Sequence, residues 1–149
     1  RGLANFRALP GRGRRHHLVG GALLIDDSYN ANPDSMRAAI DVLAAQPAPR
    51  ILVAGDMAET GEQHAQFHEE IGRYAKQKGI ERFIATGEDM RLAVQAFGPA
   101  GRHYEASEML LRAAREAVRS PASMLVKASR SQGLDRLVAS LLKNPGSAP

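Results

Sequence analysis

Polar side chains that could bind an oxygen-rich ligand follow four short apolar runs of the sequence. Residues 22–25 lead into Asp26, Asp27, Ser28, Tyr29, Asn30 and Asn32. The later runs lead into Asp56 and Glu59, into Thr86, and into Lys127, Ser129 and Arg130. Carboxylates, amides and cations together suit a ligand that carries hydroxyl, carboxylate or phosphate groups. Any single member could instead cap a helix or hold a turn, so the collection is more informative than its members.

The apolar runs themselves are predicted to be strands of a parallel sheet. Residues 22–25, 51–54, 83–85 and 124–126 do not alternate with polar residues, which is typical of strands buried on both faces. A short extra strand is predicted over 102–105. Apolar residues recur at helical spacing in five stretches, which are 36–43, 67–78, 90–97, 110–117 and 134–141. This alternation predicts an α/β, Rossmann-like three-layer domain with a mostly parallel sheet and helices on both faces.

The predicted topology also positions the polar residues. In an open parallel sheet, ligands bind beyond the carboxyl ends of the strands, which is where each of these polar groups falls. Asn32, followed by Pro33 and Asp34, predicts the N-cap of the first helix, and Ser107 and Ser131 are candidate caps for later ones. We therefore expect one shared ligand-binding edge.

Composition limits the classes of function. The chain has 149 residues with a net charge of +4, but five arginines and no acid lie in the first 15 residues. The remaining residues carry about −1, and with 5% aromatic residues and no Trp we expect no nucleic-acid partner. The absence of Cys excludes disulfides and thiolate metal sites. The apolar runs are too short to cross a membrane, so a cytoplasmic protein is expected.

Two kinds of binding site are not indicated. The sequence lacks both G-x-x-x-x-G-K-[ST] and a G-x-G-x-x-G after its first strand, so the chain alone is not expected to cradle a triphosphate. His64 and His68 have the i, i+4 spacing of helical metal ligands, but no Glu follows His64 directly and no third ligand is evident. We expect no metal site.

A phosphoacceptor receiver module is the alternative that the residue order leaves open. Receivers have an acidic pair, an acceptor Asp, a Thr and a Lys after successive strands, and here Asp26-Asp27, Asp56, Thr86 and Lys127 follow that order. The acceptor of a receiver follows the third strand, however, whereas Asp56 follows the second predicted strand. Asp56 would then sit differently around a bound magnesium.

Three separated motifs carry a family resemblance. Residues 26–36 read DDSYNANPDSM, residues 55–61 read GDMAETG, and residues 126–131 read VKASRS. In this order they resemble the C-terminal domain of the Mur ligases, over nearly the whole chain. The resemblance implies that 1–20 are a linker from a preceding ATPase domain, that 21–143 are the C-terminal domain, and that 144–149 are a flexible tail. A start at Arg1 rather than Met agrees with a piece of a longer protein.

The resemblance also implies an activity. It indicates an ATP-dependent amide ligase that joins D-alanyl-D-alanine to UDP-N-acetylmuramoyl-tripeptide through an acyl phosphate, in the synthesis of peptidoglycan precursors. ATP and Mg²⁺ are expected to be held mainly by the central ATPase domain, on which this domain would pack. The chain alone is expected to fold but not to catalyse.

Individual roles follow from the matched motifs. Arg12 and Asp27 are expected to reach the nucleotide, and Tyr29, Asn30 and Asn32 to shape the loop that faces the acyl phosphate. Lys127, Ser129 and Arg130 are expected to receive the dipeptide, with Lys127 or Arg130 pairing with its carboxylate. No residue is assigned a catalytic role. Asp56, Glu59 and His68 match family positions for which the sequence gives no role.

Overall fold

The computed structural model describes residues 8–143, which form a six-stranded sheet and five α-helices. In chain order the elements are β1 (Arg14–His17), β2 (Leu23–Asp27), α1 (Pro33–Ala44), β3 (Arg50–Ala54), α2 (His64–Gln77), β4 (Arg82–Ala85), α3 (Met90–Phe97), β5 (Gly101–His103), α4 (Ser107–Ala117), β6 (Ser123–Lys127) and α5 (Leu134–Lys143). Every strand and helix predicted from the sequence is confirmed, including the short β5. The predicted tail, 144–149, lies outside the described residues.

The strand order confirms a mostly parallel sheet. The order is β1-β2-β6-β3-β4-β5, and all neighbouring strands run parallel except β1, which is antiparallel to β2. The last strand, β6, therefore lies between the first two parallel strands. A receiver domain has a different order, 2-1-3-4-5, so the sheet topology contradicts the receiver interpretation.

Strand β1 corrects the predicted start of the domain. Residues 1–20 were predicted to be a linker, but Arg14–His17 pair with Leu23–Asp26 and form the edge of the sheet. The sequence did not reveal this strand because its four residues, RRHH, contain no apolar side chain. An edge strand can pair through its backbone alone, and charged side chains are common there.

Helices cover both faces of the sheet and divide its core in two. Leu24, Ile51 and Met124 pack against α4 and α5 on one face. Their chain neighbours Ile25, Leu52 and Leu125 pack with α1, α2 and α3 on the other face. This two-residue alternation is the pleat of a buried strand, and it confirms the three-layer prediction.

Helix packing on the α1–α3 face is tight between α2 and α3. A Cβ on Gly72 of α2 would lie 2.1 Å from the carbonyl oxygen of Ala93 in α3, so only glycine permits this approach. Phe83 and Phe97 pack nearby, with ring centroids 5.4 Å apart at 55°.

Among residues 8–143, no helix has the length and apolar character that a bilayer crossing requires.

The predicted helix caps were partly right. Asn32 caps α1: its side chain accepts a hydrogen bond from the backbone N–H of Ser35 at 2.8 Å, and the Ser35 hydroxyl bonds back to the Asn32 N–H at 3.0 Å. Ser107 is the first residue of α4, which has no side-chain cap. Ser131 lies in a 3₁₀ turn that ends before α5 begins, so it is not at the cap position.

Candidate functional site

A buried ion pair joins the ends of β2 and β6. Asp27 and Lys127 are register partners on these neighbouring strands, and Lys127 Nζ lies 2.9 Å from Asp27 Oδ2. Lys127 Nζ also donates to the carbonyl oxygen of Asn30 at 2.8 Å. The Lys127 side chain is only 5% exposed and that of Asp27 22%. Lys127 is thus neutralised by its own chain and fastens the loop after β2 to β6.

The point where β2 and β6 meet is a topological switch point. The chain leaves β2 toward α1 on one face and leaves β6 toward α5 on the other. Loops that diverge in this way open a crevice at the carboxyl edge, where α/β sheets bind their ligands. The polar loops after β2 and β6 therefore lie at one edge of the sheet, as expected, and ligand binding there stays a prediction.

Asp26 organises the entrance to this crevice, a role the sequence analysis missed. One carboxylate oxygen accepts from the Gly11 backbone N–H at 3.0 Å, and the other accepts from the Ser28 N–H at 3.2 Å and its hydroxyl at 2.5 Å. The Tyr29 N–H donates to the Gly11 carbonyl at 2.8 Å. Gly11 has φ of +79°, and a Cβ there would lie 3.1 Å from Tyr29, so glycine is required. The sequence contains one signal for this role. Asp26 and Asp27 are adjacent in a strand, so their side chains must face opposite sides of β2 and cannot serve the same contact.

Two guanidinium groups lie on the Tyr29 ring at this entrance. The Arg12 guanidinium carbon is 4.1 Å from the ring centroid and that of Arg130 is 4.8 Å away. Arg130 also donates to the Tyr29 hydroxyl at 3.3 Å. Arg12 first, and then Arg130, lower the pKa of Tyr29 from its ordinary value of 10.0, because both cations stabilise the phenolate. Within residues 8–143 no carboxylate forms an ion pair with either arginine.

The remaining predicted site residues serve the loops. Asn30 is exposed and contributes its carbonyl to Lys127, whereas the Asn32 side chain is occupied by its capping bonds. Ser129 is buried, with its hydroxyl 3.1 Å from that of Ser131. The structure therefore divides the predicted residues into an ion pair with its backbone acceptor (Asp27, Lys127 and the carbonyl of the exposed Asn30), an exposed group (Arg12, Tyr29 and Arg130), and two structural positions (Asn32 and Ser129).

Asp56 is not arranged as a phosphate acceptor. Its carboxylate oxygens accept from the backbone N–H groups of Asp89, at 3.3 Å, and Met90, at 3.0 Å, and so cap the start of α3. Both oxygens are thus committed to the helix N-terminus. This second contradiction of the receiver interpretation is independent of the strand order.

His64 and His68 are both engaged in protein contacts. His64 Nδ1 lies 2.9 Å from Asp89 Oδ1. His68 is fully buried, and its Nε2 accepts from the Met57 N–H at 2.9 Å while its Nδ1 donates to the His64 carbonyl at 2.7 Å. Within the described range, no three His, Cys, Asp or Glu side chains are grouped as metal ligands.

Comparison with known proteins identifies relatives among ligases. Residues 11–130 match the family described as Mur ligase, glutamate ligase domain. The chain is 39% identical over 145 residues to UDP-N-acetylmuramoyl-tripeptide--D-alanyl-D-alanine ligase of Escherichia coli, covering 96% of this chain and 32% of the relative. It is 32% identical over 137 residues to the ligase of the same name from Bacillus subtilis, covering 84% and 29%. The chain spans about a third of the length of these curated relatives.

Solved structures agree in fold. MurF from Acinetobacter baumannii superposes with a TM-score of 0.85 at 29% identity, covering 95% of this chain and 32% of that one. MurF ligase from Thermotoga maritima, solved in complex with ADP, superposes with a TM-score of 0.82 at 25% identity and the same coverage. The family match extends over residues 11–130, which is most of the chain. The chain therefore belongs to the Mur ligase family.

Proposed function

We propose that this chain is the C-terminal domain of a UDP-N-acetylmuramoyl-tripeptide–D-alanyl-D-alanine ligase and that it closes over the nucleotide and the dipeptide. The observation that carries this proposal is the 39% identity to the Escherichia coli enzyme, which extends over 96% of the chain. The structure is consistent with the proposal because its arginine pair at the switch point provides positive charge for anionic substrates.

The nucleotide side of the crevice is assigned to Arg12, Asp27 and the Tyr29–Asn32 loop. A guanidinium without an ion-pair partner can meet a phosphate in a bidentate contact. The carboxylate of Asp27 keeps one oxygen outside the Lys127 pair, and carboxylates accept hydrogen bonds from ribose hydroxyls. The relative from Thermotoga maritima was solved with ADP, in keeping with nucleotide use in this family.

The dipeptide side is assigned to Arg130, with Ser129 and Lys127 in supporting roles. Arg130 is exposed and can pair with the carboxylate of D-alanyl-D-alanine, whereas Lys127 is buried and already paired with Asp27. This arrangement changes the role predicted for Lys127. We infer that Lys127 shapes the crevice rather than binding the dipeptide directly.

The proposed reaction requires the two sides to act together. The tripeptide carboxylate takes the γ-phosphoryl group of ATP, ADP leaves, the dipeptide amine attacks the acyl carbon, and phosphate leaves as the amide forms with loss of a proton. This domain would hold nucleotide and dipeptide at reacting distance and exclude water, which accounts for a large part of catalysis of this kind. In line with the family resemblance, Mg²⁺ is assigned mainly to the central ATPase domain.

The same proposal covers the rest of the enzyme. The absent phosphate-loop motif is expected in a central ATPase domain that precedes this one, and the residues before β1 would connect the two. ATP and the UDP-sugar peptide are cytoplasmic metabolites, so we place the enzyme in the cytoplasm.

Phosphate release tests the division of labour. We expect no ATP- and D-alanyl-D-alanine-dependent phosphate release from these 149 residues alone, and robust release from the full-length ligase. In the full-length enzyme, Arg12→Ala should raise the KM for ATP about tenfold or more, the value of one charged hydrogen bond. Arg15→Ala, in β1, is the matched control because Arg15 contacts Gln46 instead of the crevice. Turnover by the isolated chain, or equal effects of the two substitutions, would reject the assignment.

A further inference from the structure

The segment Gly55–Ala58, which we call the crossbar, connects the two sides of the crevice. It follows β3, and the Ala58 N–H donates to the carbonyl of Ala31, in the loop after β2, at 2.7 Å. On the other side, the Ser129 N–H donates to the Asp56 carbonyl at 2.9 Å. The Asp56 N–H donates to the Gln132 side chain at 3.3 Å. Four consecutive residues therefore join the loop after β2 to the loop after β6.

The crossbar is held by two side chains that lie outside the crevice contacts. The Asp56 carboxylate bonds to the start of α3, as described above, which fixes one end of the segment. The buried ring of His68, on α2, accepts the Met57 N–H at 2.9 Å. Because His68 Nδ1 donates to a backbone carbonyl on its own helix, Nε2 is left as the acceptor and the ring is neutral.

We propose that the crossbar sets the spacing between the nucleotide side and the dipeptide side, and that His68 is its positioning residue. This inference rests on the proposed ligase function and gives a role to two positions, Asp56 and His68, that the sequence left unassigned. Two bound reactants must approach to about 3–3.5 Å, and an error of about 1 Å can cost about 100-fold in rate. Rigid backbone bonds from one central segment to both loops can provide that precision.

A matched pair of substitutions separates the proposed bond from the bulk of the ring. Gln at position 68 places Oε1 near the site of Nε2 and keeps an acceptor for the Met57 N–H. Asn places its amide near Nδ1 and loses that acceptor. In the full-length ligase we expect His68→Asn to lower kcat about 10- to 100-fold, while His68→Gln stays close to wild type. His64→Asn is the control on the same helix, since its exposed ring hydrogen-bonds to the Asp89 side chain and is not an acceptor for the Met57 N–H.

Two further measurements distinguish positioning from general destabilisation. The stoichiometry of ADP binding should remain one per chain in His68→Asn, which shows that the lost activity is not an unfolded fraction. Amide hydrogen exchange should become faster at Ala58 and Ser129, on the two sides of the crossbar, and remain unchanged in His64→Asn. A folded His68→Asn variant with wild-type kcat, or a His68→Gln variant that loses as much as His68→Asn, would overturn the proposal.

A second variant keeps the test decisive if His68→Asn does not fold. Gln132→Ala removes the half-buried acceptor of the Asp56 N–H, and we expect a smaller loss of kcat with faster exchange at Ser129. Wild-type kcat in this variant would count against the crossbar. Failure of the proposed function has a different signature, because the wild-type full-length enzyme would then show no substrate-dependent phosphate release while the exchange measurements still report on the crossbar.

Discussion

Two charged groups lie at the same edge of the sheet in opposite environments. Asp27 and Lys127 are paired at 2.9 Å with the lysine 5% exposed, whereas Arg12 and Arg130 lie on Tyr29, whose surface is 39% exposed. Each member of a buried pair has lost its hydration, and the opposite charge compensates for that loss. Removing either member therefore leaves an uncompensated charge and destabilises the fold. The exposed arginines keep most of their hydration and are available to a ligand. The ion pair therefore holds two loops of the crevice together, whereas the two arginines keep their guanidinium groups at its surface.

The largest effect on stability is expected from Lys127→Met. The substitution removes the cation and leaves Asp27 partly buried and unpaired, which costs about 3 kcal/mol of unfolding free energy. Equilibrium urea denaturation of the chain measures the loss. The double variant Asp27→Asn, Lys127→Met should recover more than half of it, because no unpaired charge remains. A loss below about 1 kcal/mol would show that the pair behaves as an exposed one.

Substitution of an exposed arginine should change the unfolding free energy little and the enzyme kinetics strongly, which is the opposite of the buried pair. Arg130→Ala is expected to change unfolding free energy by less than about 0.5 kcal/mol. In the full-length ligase it should lower kcat/KM for D-alanyl-D-alanine by about 10- to 100-fold, which corresponds to the loss of a charged hydrogen bond. Steady-state kinetics measures the effect.

Arg119→Ala is the control for Arg130. Arg119 is also exposed, but it lies between α4 and the start of β6, near the amino ends of the strands. If the two variants had equal kcat/KM, Arg130 would have no part in dipeptide binding. Added KCl should raise the KM for the dipeptide in the wild-type enzyme, because an exposed charge contact is screened by salt.

A smaller effect on stability is expected at Asn32, whose side chain caps α1 beside the candidate site. Asn32→Ala removes the cap of α1 and should cost about 1 kcal/mol, measured by urea denaturation. Asn32→Asp keeps the acceptor and should retain most of the stability. If Asn32 instead contacts the nucleotide, Asn32→Asp would raise the KM for ATP in the full-length ligase despite normal stability, and the capping role alone would not describe it.

The elements were predictable from local pattern, but their arrangement was not. Continuous apolar runs and helical periods indicated β2, β3, β4 and β6 and all five helices because burial on a regular element leaves a periodic trace. Nothing local indicates that β6 inserts between β2 and β3, since that order depends on distant pairing. Strand β1 was missed because a polar edge strand pairs through its backbone.

The candidate site was predictable as a set but not in its division of roles. The rule that ligands bind at the carboxyl edge brought the polar loops together correctly. The sequence could not distinguish Lys127 from Arg130, which lie three residues apart. Lys127 ends a central strand and is covered by neighbouring loops, whereas Arg130 begins a 3₁₀ turn beyond the sheet. Exposure of this kind is set by tertiary packing.

The smallest expected effect is a titration that reports on the exposed group directly. Arg12 and Arg130 lower the pKa of Tyr29 from 10.0, whereas a hydrogen bond to Asp41 raises the pKa of Tyr74. In an absorbance titration, Tyr29→Phe should therefore remove an earlier phenolate step than Tyr74→Phe removes. Arg12→Ala should move the Tyr29 step toward higher pH, and by more than Arg130→Ala does, because Arg12 is the larger cause.

The same shift fixes the sign of its contribution to stability. An acid whose pKa is lower in the folded state stabilises the fold fully above its unfolded pKa, near 10.0, and this stabilisation is lost as the pH falls through the folded-state pKa. The difference in stability between wild type and Tyr29→Phe should therefore change only in the alkaline range and be flat around pH 7. An unshifted Tyr29 step would mean that the guanidinium groups leave the ring in solution. The two groups would then differ in mobility as well as in exposure, because Asp27 and Lys127 are held by their ion pair while Arg12 and Arg130 would move freely.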